Sequence, residues 1–249
     1  MKVKTIVFTG IFVILFSVIA YSGYQLYLIQ HNNADEAKNH DRLMEYRPAL
    51  PSADENGAIT EPKVNQKIVD LQAKYPDAVG WITVPNTKID YPFAQAADNN
   101  FYLHRDLDKQ YLFAGTVFMD HRNRRDFSDF NTVLFGHHMK NRSMFGDLQK
   151  FNDQAFFDAN KTGTIFLADK TYTIEFFAFI VLKPSDAVIY DPTVSDPVDE
   201  AAFLAHAKDK ARFYRDIGVT TSNRIVTLST CNYEFNDARM VLLGRLVEM

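Results

Sequence analysis

Short apolar runs separated by polar turns occupy most of the chain from residue 64 onward. Runs rich in valine, isoleucine, threonine and aromatic residues, bounded by glycine, proline, asparagine or aspartate, are typical of β-strands. We place strands at residues 79–84, 89–93, 115–120, 132–135, 162–168, 171–182, 224–228 and 240–247. So many short strands with few helices predict a closed or nearly closed β-barrel.

A few segments of the same region show helical spacing instead. Apolar residues between Val64 and Tyr75 recur at this spacing, which predicts an amphipathic helix that ends at Pro76. Residues 144–151 and 200–214 also carry apolar side chains on one helical face. We therefore expect a mainly β fold with helices at its periphery.

The N-terminal region has a different pattern. An apolar run from about Thr5 to Ile29 follows Lys2 and Lys4. Roughly 20 apolar residues suffice to span a bilayer, and the lysines favour a cytoplasmic N-terminus. A cleaved signal peptide is the alternative, with cleavage near Ala20, but the run continues past that position.

This pattern divides the chain into three predicted parts. Residues 1–29 form a cytoplasmic tip and a transmembrane anchor, and the polar residues 30–63 form an extracellular tether, with a short helix at about 33–46. Residues 64–249 form the folded domain. We expect that domain to lie outside the cytoplasm, attached to the cell membrane by a single span.

Charge and cysteine content narrow the possible functions. The net charge of −4 and the lack of a long basic block argue against nucleic acid as a partner. The basic residues 122–125 are followed by aspartates, which favours a solvated loop. The chain contains one cysteine, Cys231, and outside the cytoplasm cysteines are usually paired. Cys231 is therefore intermolecularly bonded, buried and inert, or reactive.

The position of Cys231 favours a catalytic role for its thiol. Cys231 follows a predicted buried strand, Arg239 opens the next strand, and His137 ends another. A thiol, an imidazole and a guanidinium are the groups needed for acyl transfer through a thiol. His138 would point to the opposite side of an extended backbone, so only one of the two histidines is expected to face the thiol.

A metal site is the less favoured interpretation of the same region. Asp120, His121, His137 and His138 are ligand types in principle, but adjacent histidines diverge on a strand. No spacing typical of a zinc site is present. We expect neither a metal nor any other cofactor.

Several segments together resemble the class B sortases. The Cys and His motifs together are highly specific. The matching segments are Thr227-Leu228-Ser229-Thr230-Cys231 with Arg239, Gly136-His137-His138-Met139 with Ser143-Met144-Phe145, Trp81-Ile82, Ile89-Asp90-Tyr91-Pro92, Asn100-Phe101-Tyr102-Leu103, and Gly115 with Phe118-Met119-Asp120. The resemblance covers about residues 64–249.

The resemblance implies a fold and an activity. It implies an eight-stranded sortase β-barrel with peripheral helices, preceded by the transmembrane helix, on the surface of a Gram-positive cell. Residues 200–214 resemble an extra helix of this class. Such cysteine transpeptidases cleave a C-terminal sorting signal, typically Asn-Pro-x-Thr-like in class B, after its threonine. They transfer the acyl group to an amine of peptidoglycan, of its lipid-linked precursor, or of a pilin.

The resemblance also implies roles for individual residues. Cys231 corresponds to the nucleophile, Arg239 to the stabilising cation, and His137 to the acid and base, because the family's histidine directly follows the glycine. Contacts with the sorting signal are expected from Leu103, Ser229 and Tyr190.

Two alternatives stay open from the sequence. One is an extracellular cysteine peptidase that passes the acyl group to water. Papain-like enzymes usually place the cysteine before the histidine, whereas His137 precedes Cys231 here. The other is a membrane-tethered binding module with a structural cysteine.

Overall fold

The computed structural model describes residues 2–50, 64–183, 185–231 and 238–249, with residues 2–6 and 231 as backbone only. Nine strands form one sheet in the described residues. The strands are β1 (Ala78–Thr83), β2 (Asp90–Ala94), β3 (Val117–Met119), β4 (Asn131–His137), β5 (Thr162–Phe166), β6 (Thr171–Leu182), β7 (Ala211–Tyr214), β8 (Arg224–Cys231) and β9 (Arg239–Glu248).

Eight of these strands close into a barrel, as the sequence predicts. Their order is β5-β1-β2-β3-β4-β8-β9-β6, and an antiparallel pairing of β5 with β6 completes the ring. The ninth strand, β7, pairs with β6 alone, outside this ring. Two of the pairings, β2 with β3 and β4 with β8, are parallel, so the barrel is mixed.

The barrel strands are buried on both faces, which explains their nearly continuous apolar sequences. On β1, Ile82 belongs to the barrel interior, whereas Trp81 belongs to a second apolar cluster outside the barrel. A third cluster, which contains Phe203, packs under a helix on the far side. The peripheral helices therefore cover apolar surface that the closed sheet leaves outside.

Four α-helices accompany the barrel in the described part of the chain. They are α1 (Lys2–Leu43), α2 (Gln66–Lys74), α3 (Gln154–Ala159) and α4 (Pro197–Lys210), and short 3₁₀ helices lie at Met44–Tyr46, Phe101–His104 and Gly146–Asn152. The predicted helix at 144–151 is thus a 3₁₀ helix that begins two residues later. Asp196 caps the first turn of α4 by accepting a hydrogen bond from the backbone N–H of Val198.

The N-terminal helix is longer than the sequence pattern indicates. It crosses residue 30 without a break, so the predicted helix at 33–46 is the second half of α1 together with the 3₁₀ helix that follows it. Its first half is long and apolar enough to cross a membrane. The second half packs on the barrel, where Leu43 is buried in the second apolar cluster, and Arg47, beyond the end of the helix, pairs with Asp90 at 2.6 Å. Residues 51–63 of the predicted tether lie outside the described residues.

The prediction of a helix over residues 200–214 is wrong at its C-terminal end. The helix stops at Lys210, and Ala211–Tyr214 form β7 against Ala178, Phe179 and Ile180 of β6. The aromatic side chains of these last residues pack on β6 instead of continuing the helical face; Phe213, for example, stacks on Phe179 at 6.3 Å between ring centroids.

Candidate active site

The three predicted reactive residues lie in one row across adjacent strands. Strands β4 and β8 are parallel and in register to their C-terminal ends, where His137 is the partner of Cys231. Strand β9 is antiparallel to β8, with Ser229 opposite Val241. Arg239 begins β9 two residues before Val241, and its Nη1 lies 3.5 Å from the carbonyl oxygen of Thr230, the residue before Cys231. The fold therefore brings the backbone positions of His137, Cys231 and Arg239 to one edge of the barrel.

The ring of His137 is oriented by a backbone carbonyl. Its Nε2 lies 2.7 Å from the carbonyl oxygen of Leu103, which belongs to the 3₁₀ helix before β3. Because a carbonyl oxygen only accepts hydrogen bonds, Nε2 carries the hydrogen in this contact. The rings of His104 and Phe113 lie beside His137, with centroids 5.2 and 6.5 Å away. These contacts hold the imidazole in one orientation at the barrel edge.

His138 has different surroundings. Its Nε2 lies 3.3 Å from the side-chain oxygen of Gln149, and its backbone forms an isolated bridge with Met144. The two neighbouring histidines therefore contact different parts of the chain, as expected for an extended backbone.

The predicted signal contacts Ser229 and Tyr190 lie together on the other side of the row. The hydroxyl oxygens of Tyr190 and Ser229 are 3.0 Å apart. The guanidinium carbon of Arg239 lies 6.0 Å from the centre of the Tyr190 ring, a cation–π distance. Leu103, the third predicted contact, lies on the His137 side, where its carbonyl binds the imidazole.

Arg239 is held in part by Thr230 of the neighbouring strand β8. Its Nη1 lies 3.5 Å from the carbonyl oxygen of Thr230, and the Thr230 hydroxyl accepts a hydrogen bond from the backbone N–H of Met240 at 3.1 Å. Its buried Nε has no hydrogen-bond partner among the residues that the structure describes. A guanidinium so placed can donate to a carbonyl oxygen or an oxyanion that enters the site.

Comparison with known proteins now gives the family. A model of the Sortase domain matches residues 82–247. A sortase B of Listeria monocytogenes is 31% identical over 249 residues, covering 99% of each chain. The chain belongs to the class B sortases. It is accordingly a cysteine transpeptidase of the cell envelope, from a family that joins surface proteins to amines of the cell wall.

Solved class B sortases support the same fold. A Bacillus anthracis sortase B, solved in complex with AAEK1, is 30% identical and superposes with a TM-score of 0.77, covering 88% of this chain and 99% of the other. A Streptococcus pyogenes class B sortase involved in pilus biogenesis is 33% identical, with a TM-score of 0.67 over 72% of this chain and 97% of the other.

Sequence reasoning missed a polar network next to this site. Asp120 is almost fully buried and accepts hydrogen bonds from the Nε and Nη2 atoms of Arg122, both at 2.9 Å, and from Asn99 at 2.9 Å. Burial alone would raise the pKa of the Asp120 carboxyl, but the hydrogen bonds from Arg122 and Asn99 hold that pKa below its ordinary value. The carboxylate is therefore used to orient an arginine.

The prediction of a solvated loop for residues 122–125 holds only in part. The side chain of Arg124 is 75% exposed, but Arg122 is held by Asp120, and Arg125 donates to the carbonyl oxygens of Pro76 and Ala78. The sequence gives no signal for this difference, because the partners of Arg125 are remote backbone atoms.

Proposed function

We propose that this sortase cleaves an Asn-Pro-x-Thr-like sorting signal after its threonine through a thioester on Cys231. It then transfers the acyl group to an amine of peptidoglycan, of its lipid-linked precursor or of a pilin. Its protein substrates are surface proteins or pilins that carry the signal. The first 29 residues anchor the enzyme as a single span, with the catalytic domain outside the cell, and residues 30–63 connect the two.

The observation that carries the proposal is the row formed by His137, Cys231 and Arg239 at the ends of β4, β8 and β9. These strands belong to one closed barrel, so the spacing of the three backbones is set by the sheet. Removing translational freedom among reacting groups is a large part of enzymatic catalysis. The row therefore supports a shared catalytic role for the three residues.

The contact between Leu103 and His137 supports an assignment of proton positions. With Nε2–H donated to the Leu103 carbonyl, the nitrogen that changes protonation in the reaction is Nδ1. In the reactive state, the Cys231 thiolate attacks the threonine carbonyl while the imidazolium donates its Nδ1 proton to the leaving amide nitrogen. The neutral imidazole then takes a proton from the incoming amine at the same nitrogen, and the amine displaces the thiolate.

Arg239 is proposed to stabilise the oxygen of each tetrahedral intermediate. Its cation–π contact with Tyr190 and its contact with the Thr230 carbonyl keep the guanidinium at the end of strand β8. Preorganised donors of this kind contribute most when charge develops in the transition state. Tyr190 and Ser229, together with the side chain of Leu103, are proposed to contact the sorting signal.

The test uses the full chain in detergent with quenched fluorescent peptides that carry Asn-Pro-x-Thr or Leu-Pro-x-Thr signals, with and without triglycine. We expect Cys231→Ala to abolish cleavage and Arg239→Ala to lower kcat by about 100-fold or more. His137→Ala should lower kcat by about 100- to 10,000-fold, the usual contribution of general acid–base catalysis. His138→Ala is the matched control, and we expect near wild-type rates from it.

Product analysis by mass spectrometry distinguishes transpeptidation from hydrolysis. A peptide–glycine adduct that depends on Cys231 supports transpeptidation. Acid product alone, with every amine tested, would favour the alternative of an extracellular cysteine hydrolase. Equal loss in the His137 and His138 variants would contradict the assignment of His137.

A further inference from the structure

The segment that carries Tyr190 is held in place through its own backbone carbonyls, those of residues 189–191. The Nδ2 atom of Asn131 lies 3.1 Å from the carbonyl oxygen of Ile189 and 3.2 Å from that of Asp191. Between them, the carbonyl oxygen of Tyr190 accepts a hydrogen bond from Nη2 of Arg122 at 3.0 Å. Each carbonyl of this short stretch thus meets a side-chain donor from another part of the barrel.

Both donors are themselves fixed from the barrel side. Asn131 is fully buried at the start of β4, and its side-chain oxygen accepts a hydrogen bond from the Thr227 hydroxyl of β8 at 2.7 Å. Since the oxygen of this amide is used by Thr227, its nitrogen is directed to the carbonyls. Arg122 has two of its nitrogens bound to the buried Asp120 carboxylate. Neither donor can move without breaking these contacts.

Residues 189–191, which these two donors hold, contribute directly to the proposed signal-binding surface. Tyr190 hydrogen bonds to Ser229, lies near Arg239, and packs on Phe135 with ring centroids 6.0 Å apart. The stretch lies in the connection between β6 and α4, whose described residues form no helix or strand. Ordering such a segment costs backbone entropy, and these hydrogen bonds order it before the substrate arrives.

We propose that Asn131 and Arg122 are positioning residues that hold Tyr190 in place for binding of the sorting signal. The inference rests on the proposed function, because the role of Tyr190 is part of that proposal. It assigns no chemistry to either residue, since both donate to backbone carbonyls of the segment that carries Tyr190. The consequence is that their loss should weaken signal binding and leave the chemical step nearly intact.

The test is a steady-state comparison of variants of the full chain in detergent. Arg122→Ala removes the donor to Tyr190, Arg122→Lys keeps the charge beside Asp120 but not the planar fork, and Asn131→Asp replaces the donor with an acceptor facing two carbonyls. Arg124→Ala, a neighbouring exposed arginine, is the control. We expect KM for the signal peptide to rise about tenfold or more in Arg122→Ala and Asn131→Asp, the equivalent of one lost hydrogen bond, while kcat changes less than about threefold.

Arg122→Lys should fall between Arg122→Ala and the wild type, and Arg124→Ala should equal the wild type. Circular dichroism checks folding, and Arg122→Lys, which keeps a cation beside the buried Asp120 carboxylate, is the variant that should disturb folding least. An unchanged KM in folded Arg122 variants, or a fall in kcat at constant KM, would overturn the inference while leaving the proposed function in place. If the wild-type chain cleaves no signal in this assay, the proposed function fails, and this inference fails with it.

Discussion

At the scale of single residues, the site depends on a buried carboxylate that takes no part in the chemistry. Asp120 accepts hydrogen bonds from the backbone and side chain of Arg122 and from Asn99, so nearly all of its acceptor capacity is used. A buried charge is tolerated when it is paired and hydrogen-bonded in this way. Because Arg122 in turn binds the Tyr190 carbonyl, the ionisation of Asp120 is linked to the geometry of the proposed signal-binding surface.

This carboxylate should make stability depend on pH. The hydrogen bonds hold the pKa of Asp120 in the folded state below its ordinary value, whereas the unfolded chain has a pKa of about 3.9. The contribution of Asp120 is therefore fully present well above pH 3.9 and is lost as pH falls through the lower folded value. We expect Asp120→Asn to lower the free energy of unfolding by about 1–3 kcal/mol at pH 7, and by progressively less below about pH 4.

Urea unfolding of residues 31–249 at pH 7, 5 and 3 measures this difference. The control is Asp169→Asn, which removes an exposed carboxylate that pairs with Lys170 at 3.8 Å. Its effect should be small at every pH because exposed ion pairs contribute little. If the difference in free energy of unfolding between the wild type and Asp120→Asn stays constant or grows as the pH falls, the role given to the carboxylate is contradicted.

At the scale of elements, α1 is connected to the turn that follows His137. The Tyr91 hydroxyl lies 3.0 Å from the Glu36 carboxylate of α1 and accepts a hydrogen bond from the backbone N–H of Met144 at 3.0 Å. Met144 has a φ of +53°, an uncommon conformation for a residue with a side chain. Such a turn persists when its surroundings fix it. Tyr91 therefore joins the N-terminal helix to a strained turn beside the proposed catalytic histidine.

Tyr91→Phe should release this turn. Burial, with Glu36 close by, raises the pKa of Tyr91, so its hydroxyl stays protonated and donates to the carboxylate near neutral pH. The variant loses both hydrogen bonds and leaves Glu36 buried without this donor, which should destabilise the protein by about 2–5 kcal/mol. Faster hydrogen exchange at the Met144 amide and a lower urea midpoint would show the effect. Glu36→Gln, which keeps an acceptor oxygen, should be milder, and unchanged exchange at Met144 in Tyr91→Phe would contradict the connection.

The elements also show which parts of the fold can be predicted from the sequence. Strand β6 lies where its apolar run predicts it, and the strand ends that carry His137, Cys231 and Arg239 were recognisable from the residues that follow each run. Strand β7 was missed because Tyr214 continues the helical spacing of α4, and only pairing with β6 makes these residues a strand. Tertiary contacts between distant residues leave no local pattern.

The same limit applies to the candidate site. The contacts of Asn131 with the carbonyls of residues 189 and 191 join positions 58 and 60 residues apart, and they involve backbone atoms that every sequence has. Likewise, the change to polar composition after Ile29 predicted a tether, but polar residues also form the exposed face of a docked helix. Glu36 and Leu43 are recognisable as docked residues only once Tyr91 and the second apolar cluster are in place.

At the scale of the whole molecule, the continuous helix would set how far the barrel stands from the membrane if its apolar half spans the bilayer as proposed. Apolar side chains of α1 are exposed from Val7 to Ile29, consistent with a membrane-spanning stretch, and the first buried residue on the barrel side is Glu36. With a rise of about 1.5 Å per residue, the helix between Ile29 and Glu36 is only about 10 Å long. We therefore expect the barrel to lie close to the bilayer surface, where an amine attached to a lipid would be concentrated near the site.

Lengthening this connection should slow transfer to a lipid-linked amine without changing cleavage of a soluble signal peptide. A ten-residue Gly/Ser segment inserted between Asn32 and Asn33 adds about 17 Å of flexible reach while leaving the docked half of α1 on the barrel. In vesicles, we expect transfer to a lipid-linked amine to fall several-fold, because the effective concentration of the acceptor falls as the site becomes free to move away. Cleavage of a soluble signal peptide should not change, and the same segment placed before Lys2 should leave both activities at wild-type levels. Transfer to the lipid-linked amine at the wild-type rate in the lengthened chain would show that the short helical connection has no part in acceptor use.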